Sequence, residues 1–502
     1  MSAPTRTAAP FQGRTLKEVI AELTAEVQDL YTADDVPWVV GYSGGKDSTA
    51  TLQLVWLALQ QLPAEKRTKT VHVISTDTLV ENPVVAAWVT QSLDTMRSAA
   101  EQQQLPIEPH RLTPKIDETF WVNLIGRGYP APRPKFRWCT ERMKIRPSNT
   151  FIRKVVRRHG EAILVLGIRK QESQARARAM AKHEKRRVQE RLSPNGNLPN
   201  SLVYSPIEDW SSDDVWTFLM QQTNPWGHPN KDLLTMYQSA TADQECPLVV
   251  DSSTPSCGDS RFGCWTCTLV EQDKSMAAMV NNSEEMEWMR PLLQLRDKLD
   301  VTGPEEHKLR DFRKMNGKMQ LSMNDDIVHG PYTQQAREAW LRELLQAQAH
   351  VRANAPEHVR NIELITMEEL HAIRHHWVFK KHEVEDSLPR IYEEETGEKF
   401  PGRPFDDYLA MGAGEIELLR QICDGDELAF TTARELLGVE RKYRTMARRA
   451  GLFEALEDAV TKGFFDNKDD AHEYALKKRR LKKEIVDMLP LAGLEEVTDA
   501  PA

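Results

Sequence analysis

Short apolar blocks alternate with stretches of helical period along the first half of the chain, and that alternation is the main structural signal. Residues 16–30 predict an amphipathic helix with Ile20, Leu23, Val27 and Leu30 on one stripe. Val36-Pro37-Trp38-Val39-Val40 reads as a buried strand, and residues 50–57 as a helix packed on one face. Residues 70–75 form a second strand, Asn82-Pro83 opens a helix to about residue 103, and residues 105–112 form a third strand. Residues 148–159 read as helix, and residues 162–168 as an apolar strand of the kind buried on both faces. The order predicts an α/β fold with a doubly wound, mostly parallel sheet. Further on, Ser211 or Ser212 caps a helix with acids in its first turn, and residues 224–229 make a turn.

Past Asp273 the pattern becomes charged and helical, over residues 284–299, 333–353 and 367–395, with a basic C-terminal group at 477–483. Residues 430–439 and 443–453 read as two short helices split by glycine, either a DNA-contacting helix-turn-helix or an ordinary helix pair. The expected division is an N-terminal helical extension (1–35), an α/β domain (36–223), a cysteine-rich segment (224–290) and a C-terminal helical region (291–502).

At 502 residues the chain is too long for one ordinary core. No run of eighteen apolar residues exists and the first residues lack a signal-peptide core, which predicts a cytoplasmic protein without membrane contact. The formal net charge of −9 argues against nonspecific nucleic-acid binding, yet residues 133–158 hold ten basic residues against one acid, Glu141. Residues 176–191 add a second basic stretch. Each is a solvated helix face or a phosphate-binding surface.

Between the first strand and its helix stands Ser43-Gly44-Gly45-Lys46-Asp47-Ser48. A glycine pair there lets backbone approach a ligand, and the amides opening the helix point at it, so a phosphate is expected. The Walker spacing is absent, because Asp47 separates Lys46 from Ser48. Asp77, at the polar tip of the second strand, either contacts a nucleotide or caps the next turn. Gly167-Ile168-Arg169 leaves the last strand at its ligand-facing end, where Arg169 and Arg176 can neutralise a pyrophosphate or form a surface pair.

Four of the six cysteines, Cys246, Cys257, Cys264 and Cys267, lie within one short segment, with ten, six and two residues between successive members. That set suits a metal site in a reducing compartment, and spacing leaves both a [4Fe–4S] cluster and zinc open. Cys139 stands apart, flanked by Arg137, Arg142 and Lys144, cations expected to favour its thiolate. It can carry sulfur, ligate a cluster or simply pack.

Ser43-Gly44-Gly45-Lys46-Asp47-Ser48 resembles the PP-loop of ATP pyrophosphatases. Trp138-Cys139-Thr140, Gly167-Ile168-Arg169, Glu172-Ser173 and Pro206-Ile207-Glu208-Asp209-Trp210 extend the resemblance to the phosphoadenosine-phosphosulfate reductase superfamily. Within it, Pro255-Ser256-Cys257-Gly258-Asp259-Ser260-Arg261-Phe262-Gly263-Cys264-Trp265-Thr266-Cys267, followed by Asp273-Lys274-Ser275-Met276, resembles the DndC sulfurtransferases of bacterial DNA phosphorothioation. The resemblance implies cleavage of ATP to AMP and pyrophosphate, adenylation of a DNA backbone phosphate, and replacement of a non-bridging oxygen by sulfur. The implied partners are DNA, a cysteine desulfurase as sulfur donor, and other phosphorothioation proteins. Ser43, Gly44, Gly45 and Ser48 would cradle phosphate, Lys46 would balance charge on the pyrophosphate, and Asp47 would help hold Mg²⁺. Cys246, Cys257, Cys264 and Cys267 match the ligands of a [4Fe–4S] cluster, whereas Thr140 stands where assimilatory reductases carry a second cysteine beside Cys139. The alternatives are a reductase of adenylyl or phosphoadenylyl sulfate, and a non-catalytic nucleotide sensor that scaffolds a DNA-bound complex.

Overall fold

A computed structural model describes residues 10–241, 262–402 and 412–488, apart from positions 186, 188–190, 197, 384, 445 and 466. The chain divides into two compact units, one comprising residues 1–120, 131–300 and 346–366, the other residues 121–130, 301–345 and 367–502.

The first unit is built on six strands: β1 (Trp38–Gly41), β2 (Val71–Thr76), β3 (Ile107–Leu112), β4 (Ala162–Val165), β5 (Ser193–Pro194) and β6 (Ser201–Tyr204). Their order is β3-β2-β1-β4-β6-β5, parallel throughout except for β5 against β6. The helices are α1 (Leu16–Thr32), α2 (Lys46–Gln61), α3 (Pro83–Gln102), α4 (Arg146–His159), α5 (Gln174–Glu184), α6 (Ser212–Gln221), α7 (Asn230–Ser239), α8 (Lys274–Asn282) and α9 (Arg290–Leu299). Successive β1 side chains point to opposite faces. Trp38 and Val40 therefore join Leu52, Val55 and Trp56 of α2 and Leu93 and Met96 of α3, while Val39 joins Ile152 and Val155 of α4. Burial on both sides explains why β1 and β4 read as continuous apolar runs. The expected α/β sheet is the one observed.

The chain winds outward from β1 through β2 to β3, then returns to place β4 on β1's other side. The reversal opens a crevice beyond the carboxyl ends of β1 and β4, the place where open α/β sheets take ligands. A thread of buried amides shapes the crevice. Gln53 of α2 donates to Asn230 Oδ1 at 2.7 Å, and Asn230 donates to the Leu219 carbonyl at 2.8 Å. Both side chains are buried, so α7 is fixed against α2, and with it Tyr237 over the start of α2.

Several expectations change. The α1 stripe is Val19, Leu23, Val27 and Tyr31, with Ile20 and Leu30 only half-buried on its flanks. Strands β5 and β6 are short and polar at their ends, so they carry little periodic signal. In the second unit, residues 367–395 are not one helix. Met367–His375 runs into a π-helical turn, His376–Lys380, and a new helix, Ser387–Thr396, begins after Asp386 in the left-handed region at φ 44°. The two short helices expected over 430–453 are instead one helix, Glu427–Arg444, running through Gly438, followed by Leu452–Lys462. Gly438 serves packing rather than a turn, because a Cβ there would lie 2.1 Å from His382 Nδ1. Among the described residues, no helix is long and apolar enough to cross a membrane.

Candidate nucleotide and thiol site

The loop between β1 and α2 is held in shape by its own hydrogen bonds. Ser48 Oγ accepts from the Ser43 amide at 3.2 Å, lies 3.1 Å from Ser43 Oγ, and donates to the Gly45 carbonyl at 3.0 Å. Gly44 takes φ +75°, and a Cβ there would meet Val89 Cγ2 at 2.4 Å. Trp88 Nε1 donates to the Gly44 carbonyl at 3.2 Å, so α3 closes over the loop where only glycine fits. Gly45 is the N-cap of α2 and offers no side-chain cap, which leaves amides of the first turn directed at the crevice.

Lys46 makes no ion pair among the described residues. Its Nζ instead lies 5.4 Å from the Tyr237 ring and 5.8 Å from that of Trp216. An ammonium held over aromatic faces keeps its charge available for an anion. Asp47 is committed differently: its Oδ1 accepts from Arg169 Nε at 2.7 Å, and Arg169 Nη1 also donates to the Trp210 carbonyl at 3.3 Å. Arg169 is buried. In this state it positions Asp47 and joins the Pro206–Trp210 segment to α2. Oδ2 of Asp47 makes no hydrogen bond among the described residues and is the oxygen open to a cation.

Gly167 explains how β4 can come so close. A Cβ at that position would stand 2.6 Å from the Asp47 carbonyl oxygen and 2.9 Å from the Ser48 amide nitrogen. Asp77 caps its own turn, with Oδ1 accepting from the Leu79 amide at 2.8 Å and Oδ2 accepting from Arg111 Nε at 2.9 Å. Arg176 pairs with Glu172 at 3.1 Å on an exposed rim. Residues 43–48, Asp77, Gly167, Arg169 and Arg176 line one cavity of about 1250 Å³.

The same cavity reaches Glu81 and Lys144, and through them the cysteines. Cys264 bridges to Glu81 in antiparallel fashion, the Trp265 amide donates to the Val80 carbonyl at 2.9 Å, and the Cys267 amide donates back to the Cys264 carbonyl at 3.0 Å. Buried Arg296 of α9 supports the turn from behind, donating to the Cys267 carbonyl at 3.0 Å and the Glu271 carbonyl at 3.1 Å. Cys264 Sγ lies 3.3 Å from Thr78 Oγ1 and 3.8 Å from Glu81 Oε1. Burial, with the Glu81 carboxylate adding to it, pushes the Cys264 thiol up to about 12, while Lys144 pulls the other way. Lys144 Nζ is 3.6 Å from Glu81 Oε1 and is held above its ordinary range by the charge of a Cys264 thiolate, when that forms, and by the Glu81 carboxylate.

Cys139 stands at the entrance of a π-helical turn, Thr140–Ile145, that leads into α4. Pro147 in the first turn of α4 has no amide to donate, which breaks the regular ladder at this junction. The expectation that flanking cations would favour the Cys139 thiolate is corrected: burial pushes this thiol above its ordinary range, neighbouring Cys267 adds to that, and Lys144 faces Cys264 instead. Cys246 and Cys257 lie outside the described residues.

The donor chemistry fits a thiolate-ligated cluster in kind. Cys264 and Cys267 share one braced turn, Cys139 is close enough to feel Cys267, and Lys144 supplies positive charge where thiolates must form. Sequence reading did not single out Glu81, Tyr237 or Arg296, because each reaches the site from an element whose own pattern signals only helix or turn. The end of the basic stretch at 176–191 is turned inward: Arg187 and Arg191 donate to buried Glu208 at 2.8 and 3.1 Å, and Arg191 pairs with Glu26 at 3.0 Å.

Residues 37–269 match the phosphoadenosine phosphosulfate reductase domain family. An uncharacterized protein of Methanocaldococcus jannaschii is 28% identical over 246 residues, which are 49% of this chain and 39% of that protein. Among solved structures, a phosphoadenylyl-sulfate reductase from Candida auris in a phosphate complex aligns over 42% of this chain and 90% of its own, at 16% identity and a TM-score of 0.26. The U34-tRNA thiolase NcsA from Methanococcus maripaludis, solved with its [4Fe–4S] cluster, aligns over 57% of this chain and 82% of its own, at 14% identity and a TM-score of 0.27. The stretch that matches the phosphoadenosine phosphosulfate reductase domain is thus the one that carries the glycine loop, the exit of β4 and the Cys264–Cys267 turn.

Proposed function

We propose that this chain is an ATP-dependent sulfurtransferase of DNA phosphorothioation, of the DndC type. The observation that carries the reading is the shared cavity: Lys46 and Asp47 line the same space as Lys144, the cation turned toward Cys264. Nucleotide activation and sulfur chemistry then occupy two walls of one site.

A non-bridging oxygen of a DNA phosphodiester attacks the α phosphorus of ATP, the α–β bond breaks, and pyrophosphate leaves with its charge met by Lys46. A cysteine desulfurase delivers sulfur as a persulfide, a thiol reductant releases it as sulfide with formation of a disulfide, and the sulfide then attacks the activated phosphorus while AMP departs with the displaced oxygen. Mg²⁺ held through Asp47 Oδ2 would neutralise phosphate charge, and release of Asp47 from Arg169 would free that arginine for the pyrophosphate. A [4Fe–4S] cluster on Cys264 and Cys267, with Cys246 and Cys257 as further ligands, would supply a one-electron redox centre beside the nucleotide. Lys144 stabilises the negative charge of that wall. α4 exposes Arg153, Lys154, Arg157 and Arg158, none of which makes an ion pair among the described residues, and this face supports contact with a phosphate backbone.

Protein purified without oxygen should convert ATP to AMP and pyrophosphate in equal amounts, and only when DNA is present with a sulfide source. Formation of ADP, or AMP release indifferent to DNA, would sink the reading. Reduction of phosphoadenylyl sulfate, favoured by the family match, is the second reading; it requires sulfite release from that nucleotide by the same preparation.

A further inference from the structure

Away from the cavity, near the amino ends of β2 and β3, three metal-ligating side chains converge. Parallel register puts His72 opposite Glu108 and Ile74 opposite His110, so His72, Glu108 and His110 share the face covered by α4. His72 Nδ1 lies 3.1 Å from His110 Nε2 and 3.2 Å from Glu108 Oε2, and His110 Nε2 lies 3.7 Å from the same carboxylate oxygen. One atom from each residue thus faces one point. Phe151 of α4 covers the group, its ring centroid 5.5 Å from that of His72 and 4.7 Å from that of His110.

Protons alone satisfy this triangle poorly. If one imidazole donates to the other, the acceptor's lone pair is used, and a carboxylate oxygen still faces both rings with a single proton among three acceptor atoms. A metal bonded at about 2.0–2.2 Å to two nitrogens and one oxygen in tetrahedral geometry separates its ligand atoms by roughly 3.3 Å, close to what is seen here. Burial lowers both histidines below their ordinary range, which leaves neutral rings with lone pairs to give. Two imidazoles and one carboxylate offer too few oxygens for a hard cation and make imidazole the main donor, and the metal–ligand bonds must outweigh the nearby charges of Arg97, Lys154, Arg158 and His159.

We propose that His72, Glu108 and His110 form a binding site for a zinc-class divalent ion, separate from the cysteine segment, that clamps edge strand β3 to β2. The side chain of Glu108 is 56% exposed, so water can complete the fourth position.

The test loads full-length protein, its cysteine segment left as purified, with Co²⁺ by equilibrium dialysis and records the visible spectrum. One equivalent should bind with the visible d–d bands of four-coordinate cobalt and without sulfur-to-cobalt charge transfer. That equivalent should be lost in His110→Ala and in Glu108→Gln, with far-UV circular dichroism unchanged. Glu108→Gln, at an exposed position, keeps the test sound if the histidine variant fails to fold. Absence of any nitrogen- and oxygen-ligated cobalt in the natural protein, or its undiminished binding to Glu108→Gln, overturns the site and leaves an ordinary histidine–histidine hydrogen bond.

Discussion

At Gly44 and Gly167 the nucleotide wall of the cavity has no room for a single added carbon, whereas at Cys264 the thiol wall lacks charge rather than space. The first wall is finished by direct hydrogen bonds: Ser43 with Ser48, Gly44 with Trp88, and Asp47 with Arg169. The second is fixed in backbone, by the Glu81–Cys264 bridge and Arg296, but burial holds its thiol above the ordinary range. A phosphate site can be prepared from amides and one lysine; a thiolate site needs its metal to drive off the proton.

That contrast can be broken one wall at a time. The largest effect is expected from Lys46→Ala, which should slow pyrophosphate release by on the order of 10²–10³-fold while iron content stays unchanged. Cys264→Ser should do the reverse, losing protein-bound iron but keeping ATP binding, as read by metal analysis and nucleotide titration on one sample. Gly167→Ala should lower stability by about 1–3 kcal/mol in denaturant unfolding, since its methyl must push β4 away from α2, and should weaken ATP binding as well. The smallest effect is expected from Lys144→Met: iron occupancy falls without vanishing, and ATP binding is unaffected. If Lys144→Met lowers nucleotide affinity as much as iron occupancy, the two walls are not separable.

Much of the nucleotide wall was legible because its chemistry is local in sequence. A glycine pair between an apolar strand and a helix marks the loop, and the alternation of β1, α2, β2, α3 and β3 appears directly as changes of period. The thiol wall was legible only in part. Cys264 and Cys267 stand out by spacing, but Glu81 and Arg296 reach them from 183 and 29 residues away along the chain. Cys139 shows why local charge misleads: Lys144 is five residues along, yet the turn between them directs it to Cys264, and burial decides the thiol's ionisation. The Asp47–Arg169 pair spans 122 residues and needs the β1–β4 register to be seen. In the second unit, the break in residues 367–395 was marked only by Pro389, which fits the first turn of a new helix better than the middle of an old one.

The central claim is that one cavity joins ATP cleavage to sulfur insertion in DNA. Nuclease digestion of DNA from cells carrying this protein and its partner proteins tests it most directly, with the dinucleotides read by mass spectrometry. Sulfur-containing dinucleotides should be present with the natural chain and absent with either Lys46→Ala or Cys264→Ser. Their persistence in either variant, or their absence with the natural chain, would contradict it.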